Sequence, residues 1–208
     1  MKKRLFIATN LAPELEKQLG YLLDQLRDFS YLKTADKNQL HLTLAFLGDT
    51  DETKMPTITN ILNKLSREET SITLEPLPPE LISPPLHSPR RPSRSPWPVE
   101  APGRSRLGEG WRGIWLAIKP NPALIQLADN LRARLNSAGF PLDPKPFNGH
   151  ITLARSKTDR LSPELQQWLS DWANTNLPTS PVSEIILYSS QLTPTGPLHT
   201  PEFSVKVS

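Results

Sequence analysis

The sequence predicts an α+β fold made from two copies of a β-α-β-α-β unit, and three observations carry that expectation. The chain resembles itself at a shift of 109 residues, the separation of His41 from His150. Each copy alternates short apolar runs with leucine-rich stretches at helical spacing. A proline stands at the start of the first helical stretch in both copies, where a missing N–H costs nothing.

In the first copy Leu5 to Thr9 reads as a strand, and Pro13 opens a helix in which Leu15, Leu19, Leu22, Leu23 and Leu26 recur on one face. The second copy repeats this with Ile114 to Ile118, Pro122 and the stripe Leu124, Leu127, Ala128, Leu131 and Leu135, ended by Gly139. Lys17, Arg27, Arg132 and Arg134 fall outside the stripes, as solvated positions should. Strands carrying His41 and His150 come next, then amphipathic stretches around Ile58 to Leu65 and Leu161 to Trp172. The copies close with strands Ser71 to Leu74 and Ile185 to Tyr188. Residues 1–208 are expected to form one domain, with lobe-forming repeats at about 4–75 and 113–192.

The stretch at about 76–110 breaks the pattern. Ten of the chain's 23 prolines lie between Pro76 and Pro102, mixed with serine and arginine, a composition that predicts a solvated linker or insertion without a packed element. It also holds most of the charge. Between Pro76 and Arg106, Arg90, Arg91, Arg94, Arg104 and Arg106 stand against Glu80 and Glu100, a local +3 that equals the whole-chain net charge. No general polyanion-binding surface follows. His87, inside this stretch, reads as a solvated residue and His199 as a rim residue.

With no cysteine the chain has no disulfide, thiol nucleophile or thiolate metal site, which fits a cytoplasmic location. No apolar run approaches the roughly 18 to 20 residues of a membrane span, so no membrane association is expected.

The chemistry concentrates in two segments, His41-Leu42-Thr43-Leu44-Ala45 and His150-Ile151-Thr152-Leu153-Ala154. Period-two alternation puts His41, Thr43 and Ala45 on one face and Leu42, Leu44 and Phe46 on the other, with the same division in the second copy. It also puts Arg155, a candidate phosphate-side cation, on the face opposite His150, which leaves a structural salt bridge as an equal alternative. One His-x-Thr is weak evidence; two at equivalent repeat positions, using two of only four histidines, point to a shared site. Phosphodiester hydrolysis needs a base for water, an acid for the leaving alkoxide and donors to the phosphoryl oxygens, and two imidazoles and two hydroxyls supply them. Zinc usually takes three or four protein ligands, and threonine is not a usual one, so neither a metal nor another cofactor is expected. The phosphate-loop, nucleophile-elbow and His-Glu-x-x-His patterns are absent.

These segments resemble the paired HxTx motifs of the 2H phosphoesterase superfamily, and most of all its RNA 2′,3′-cyclic phosphodiesterase (2′-5′ RNA ligase) family. The resemblance runs from Arg4-Leu5-Phe6-Ile7-Ala8 through Phe46-Leu47-Gly48 and Leu153-Ala154-Arg155 to Leu187-Tyr188-Ser189-Ser190-Gln191-Leu192-Thr193-Pro194-Thr195-Gly196-Pro197. It implies a bilobal, pseudo-twofold α+β molecule with antiparallel sheets lining a central cleft and helices outside. It further implies His41 as proton donor, His150 as proton acceptor, and Thr43 and Thr152 as phosphate-binding residues. The implied reaction opens an RNA 2′,3′-cyclic phosphate to a 2′-phosphomonoester, with RNA ends or small cyclic nucleotides as substrate and a monomer as the working unit. Two alternatives stay open: 2′-5′ RNA ligase activity, and a non-catalytic RNA-end binding protein. Two positions depart from the family pattern, Gly149 where proline usually precedes the second motif and His199 where a tyrosine-like residue is usual.

Overall fold

Both leucine stripes fold as helices, α1 (Pro13–Leu26) and α3 (Pro122–Ser137), each with its proline in the first turn. All five expected core residues of each stripe are buried, and full burial of a leucine side chain contributes about 1.5 to 3 kcal/mol, so this face is strongly specified. The Asn121 side chain caps α3 through the backbone N–H groups of Ala123 and Leu124. Gly139, with φ of 81°, takes the left-handed conformation that ends the helix. The structure, a computed structural model, describes residues 1–67, 71–82, 111–158, 161–193 and 196–207.

The remaining elements are β1 (Lys2–Thr9), β2 (Leu32–Thr34), β3 (Leu42–Asp51), α2 (Met55–Leu65), β4 (Thr73–Leu74), β5 (Pro76–Ile82) and β6 (Gly113–Ile118). They continue as β7 (His150–Ser156), α4 (Pro163–Trp172), β8 (Ser180–Pro181), β9 (Glu184–Leu192) and β10 (Pro197–Lys206). Two antiparallel four-stranded sheets have the orders β10-β9-β1-β3 and β2-β7-β6-β5, and β4 pairs with β8. Each large sheet therefore takes strands from both sequence copies. β9 from the second copy lies on β1, and β2 from the first lies on β7. The small sheet also joins the copies, and the buried Ser180 hydroxyl accepts from the Ala12 N–H beside α1. Among the described residues no helix is long and apolar enough to cross a membrane.

Three sequence expectations change here. The proline-rich stretch contains an ordered element, because Pro76–Ile82 forms β5 at a sheet edge, where a missing N–H faces no partner strand. Pro76 pairs with Ile118 and Pro79 with Leu116 across a register irregularity. His87 and the five arginines lie outside the described residues. A second change is the presence of β2, β8 and β10, which no sequence pattern indicates. Third, the copies do not superpose at one shift throughout: Ala8 lies opposite Thr43, whereas Trp115 lies opposite Thr152. β6 has thus slid by two residues relative to β1.

Strand β6 approaches β7 closely at Gly113. A Cβ there would lie 2.2 Å from the Ala154 carbonyl oxygen, a backbone atom that cannot move aside alone. Gly113→Ala is expected to push β6 off β7 and cost roughly 1 to 3 kcal/mol, the range for overpacking. A thermal melt unchanged within 1 °C would reject that tight approach.

Candidate active site

His41 immediately precedes β3, and His150 opens β7. β2 pairs with β7 only from Ala154 to Ser156, and β3 is the outer strand of its sheet, so the two histidine-bearing segments face each other. His41 Nδ1 lies 2.8 Å from the Gln39 carbonyl and His150 Nδ1 lies 2.9 Å from that of Asn148. A carbonyl only accepts, so each Nδ1 must carry a proton and each Nε2 becomes the atom at which protons can be exchanged. The same device, a carbonyl two residues upstream, serves both copies.

Thr43 and Thr152 follow on the same faces, half-buried, and neither hydroxyl is engaged by another described residue. Each is a donor available to a ligand. Burial lowers the basicity of both imidazoles, more than the carbonyl hydrogen bonds raise it. The positive form of His150 depresses His41 further, and Arg155 does the same to His150.

Strict alternation fails two residues after each threonine. Ile7 pairs with Ala45 but Ala8 with Thr43, leaving Leu44 as an extra residue; Ile114 pairs with Ala154 but Trp115 with Thr152, leaving Leu153 extra. A bulge at the equivalent point of both strands reverses the facing of the residues that follow it, in β3 as far as a second irregularity at Leu47. Leu44 and Ala45 are both buried, as are Leu153 and Ala154. Phe46, expected in the core, is instead 67% exposed and stands 6.0 Å from the Phe6 ring. Arg155 comes to the His150 face and is exposed, and no ion pair to it occurs among the described residues. Two adjacent apolar residues after each motif are the only sequence trace of these bulges.

His199 also moves from the expected rim into the site. Strand β10 brings its ring edge-on to Phe6 at 4.8 Å and to His41 at 5.4 Å. Its backbone N–H donates to the Gln39 side chain, the residue whose carbonyl orients His41. Tyr188 stacks on Phe6 at 5.2 Å and lies 6.1 Å from His41. The second half is different: the Trp115 ring is 4.4 Å from His150, and its N–H donates to Glu80 on β5. The Gly149 departure leaves strand entry intact, since the Ile118 N–H donates to the Gly149 carbonyl. No group of three or more His, Cys, Asp or Glu suited to a metal ion occurs among the described residues.

Burial and the neighbouring His41 charge hold His199 down to about 4, and its Nδ1 is buried with no partner among the described residues. Its folded pKa lies below the unfolded value of about 6.5, so the unfolded chain binds the extra proton first. The corresponding stability is present above pH 6.5 and lost progressively as pH falls through 4. Thermal melts across that window should show a steeper acid loss for the native chain than for His199→Phe. Parallel curves would show that His199 is not desolvated as described.

The two large sheets each carry one His-x-Thr segment, and these segments come together where β3 meets β7. The chain belongs to the 2′-5′ RNA ligase superfamily, whose family model matches residues 12–192. Among curated relatives, the RNA 2′,3′-cyclic phosphodiesterase of Thermus thermophilus is 29% identical, covering 95% of this chain and 86% of that protein. That of Archaeoglobus fulgidus is 26% identical, covering 94% and 96% respectively. A Thermus thermophilus crystal structure matches with a TM-score of 0.70 at 25% identity, over 98% of this chain and 97% of that one. Escherichia coli LigT complexed with 3′-AMP has the same fold, with a TM-score of 0.69 at 22% identity over 100% and 99% of the two chains.

Proposed function

We propose that the chain hydrolyses RNA 2′,3′-cyclic phosphate ends to 2′-phosphomonoesters without a metal, through His41 and His150. The observation that carries this reading is the paired imidazoles, each with Nδ1 tied to a carbonyl and a free threonine hydroxyl two residues on. Neutral His150 takes a proton from water as its oxygen attacks phosphorus. The bond from phosphorus to the ribose 3′-oxygen breaks, and protonated His41 gives its Nε2 proton to that oxygen. Thr43 and Thr152 donate to the non-bridging oxygens, where charge accumulates, and Arg155 adds a cation on the His150 side. The curated relatives, themselves RNA 2′,3′-cyclic phosphodiesterases, support the substrate class.

The reading is tested with an RNA oligomer ending in a 2′,3′-cyclic phosphate, incubated with the protein in EDTA. The expected product is the 2′-phosphate isomer. Tight binding without turnover would favour an RNA-end binding protein, and joining to an added 5′-hydroxyl end in preference to hydrolysis would favour a ligase.

The pH profile follows from the same geometry. One imidazole must be protonated and the other neutral, so kcat/KM should be bell-shaped. Both histidines are depressed by burial, which places the free-enzyme maximum on the acid side of pH 6.5. A bound phosphodiester anion stabilises the imidazolium, so both limbs of kcat should lie at higher pH than those of kcat/KM. A profile rising steadily to high pH would reject this acid–base pair.

A further inference from the structure

We propose that the groove between α1 and α4, away from the histidines, binds a cationic side chain, arginine or lysine, on an extended segment of a partner protein. The groove measures about 510 Å³ and is lined by Tyr21, Gln25 and Asp28 from the α1 side and by Trp168, Asp171 and Trp172 from α4. Its walls are aromatic and its charged groups are carboxylates. No lysine or arginine lines it among the described residues. The nearby Arg27 is occupied by Asp24 at 2.6 Å.

The aromatic walls are held in place before any ligand arrives. Both indole N–H groups donate to one acceptor, Gln25 Oε1, at 2.6 Å from Trp168 and 3.1 Å from Trp172. With both indole N–H groups satisfied, Trp168 is buried and Trp172 half-buried, so of the two indoles Trp172 is the more accessible, beside the exposed Tyr21. The Trp168 and Trp172 centroids are 6.1 Å apart, and Tyr21 meets Trp172 edge-on at 6.1 Å while remaining 57% exposed. A cation within about 6 Å of such faces is attracted by the ring quadrupole, and carboxylates at the rim add a charge that selects against neutral side chains. Lys54 sits 5.3 Å over the Phe140 ring elsewhere in the molecule, an internal example of the same contact.

The duplicated architecture supplies a control. The pseudo-equivalent of the α1–α4 junction is α3 against α2, where the helices pack directly on each other. At the α3 positions matching Tyr21, Gln25 and Asp28 stand Asn130, Arg134 and Ser137, and α2 contains no aromatic residue. The fold itself therefore does not require this groove. Its open form argues for a segment of chain laid across the surface, since an enclosed cavity would be needed to surround a small free amine.

The test titrates the full-length protein with a short arginine-containing peptide and with the same peptide carrying neutral, near-isosteric citrulline. Binding is read from tryptophan fluorescence and from the indole N–H resonances of Trp168 and Trp172. Saturable binding of the arginine peptide is expected, about 10-fold weaker for citrulline and for the D28N/D171N variant and several-fold weaker for Tyr21→Ala. All three substituted positions are exposed, so the fold and cyclic-phosphate turnover should be unchanged. Equal binding of both peptides, undiminished affinity in D28N/D171N, or no saturable binding would overturn the proposal. A dimer dispersed by Tyr21→Ala would also overturn it, reassigning the groove to a second copy of this chain.

Discussion

Replacing either cleft histidine by alanine is expected to lower kcat on an RNA 2′,3′-cyclic phosphate about 10² to 10⁴-fold, the contribution of a positioned general acid or base. The double variant should lose little more than the worse single one, because the two groups act in one transition state. The shape of the pH profile assigns the roles. A base must be neutral to act, so its titration makes the rising limb; an acid must be protonated, so its titration makes the falling limb. His150→Ala should therefore flatten the acid limb and His41→Ala the alkaline limb. The reverse outcome would exchange the two roles while keeping the pair, and a kcat within threefold of native in either variant would place the chemistry elsewhere. A circular dichroism spectrum matching the native chain keeps the result interpretable.

The legible parts of this molecule are those governed by one local period. Leucines at helical spacing in α1 and α3, and the alternation through His41-Leu42-Thr43, fix the buried face without reference to anything distant. Both expected histidines and both threonines consequently occupy neighbouring faces in the structure. What escaped was set by pairing between distant strands. The bulges at Leu44 and Leu153 depend on how β3 and β7 register against β1 and β6, so Phe46 and Arg155 were assigned to the wrong faces. His199 enters the site because β10 pairs with β9, which itself lies on β1; nothing in its own neighbourhood reports that. Strand β5 was hidden by its prolines, which a sheet edge tolerates and a central strand would not. Its Glu80 holds the Trp115 ring that packs on His150, so a segment read as linker supports the site.

Removing one threonine hydroxyl should cost about 10²-fold in turnover, at the lower end of what a lost oxyanion donor costs, because these hydroxyls are not fully enclosed. Valine is the suitable replacement, being β-branched like threonine and favoured in strands, so Thr43→Val and Thr152→Val keep the backbone and delete only the donor. The loss should divide between kcat and KM. The cyclic phosphate already carries a negative charge that a hydroxyl stabilises in the ground state, and only the extra charge gathered during attack contributes to kcat. The two variants should also differ. Beside Thr152 stands Arg155, a cation on the same face that can take over part of the anion's stabilisation, whereas the position matching Arg155 beside Thr43 is Phe46, which has no donor. Thr43→Val is therefore expected to be the more damaging, and Arg155→Ala should make Thr152→Val as severe. Single-turnover rates for the three variants and the Thr152/Arg155 pair would decide it. Rates within threefold of native for both valine variants would remove the threonines from phosphate binding altogether.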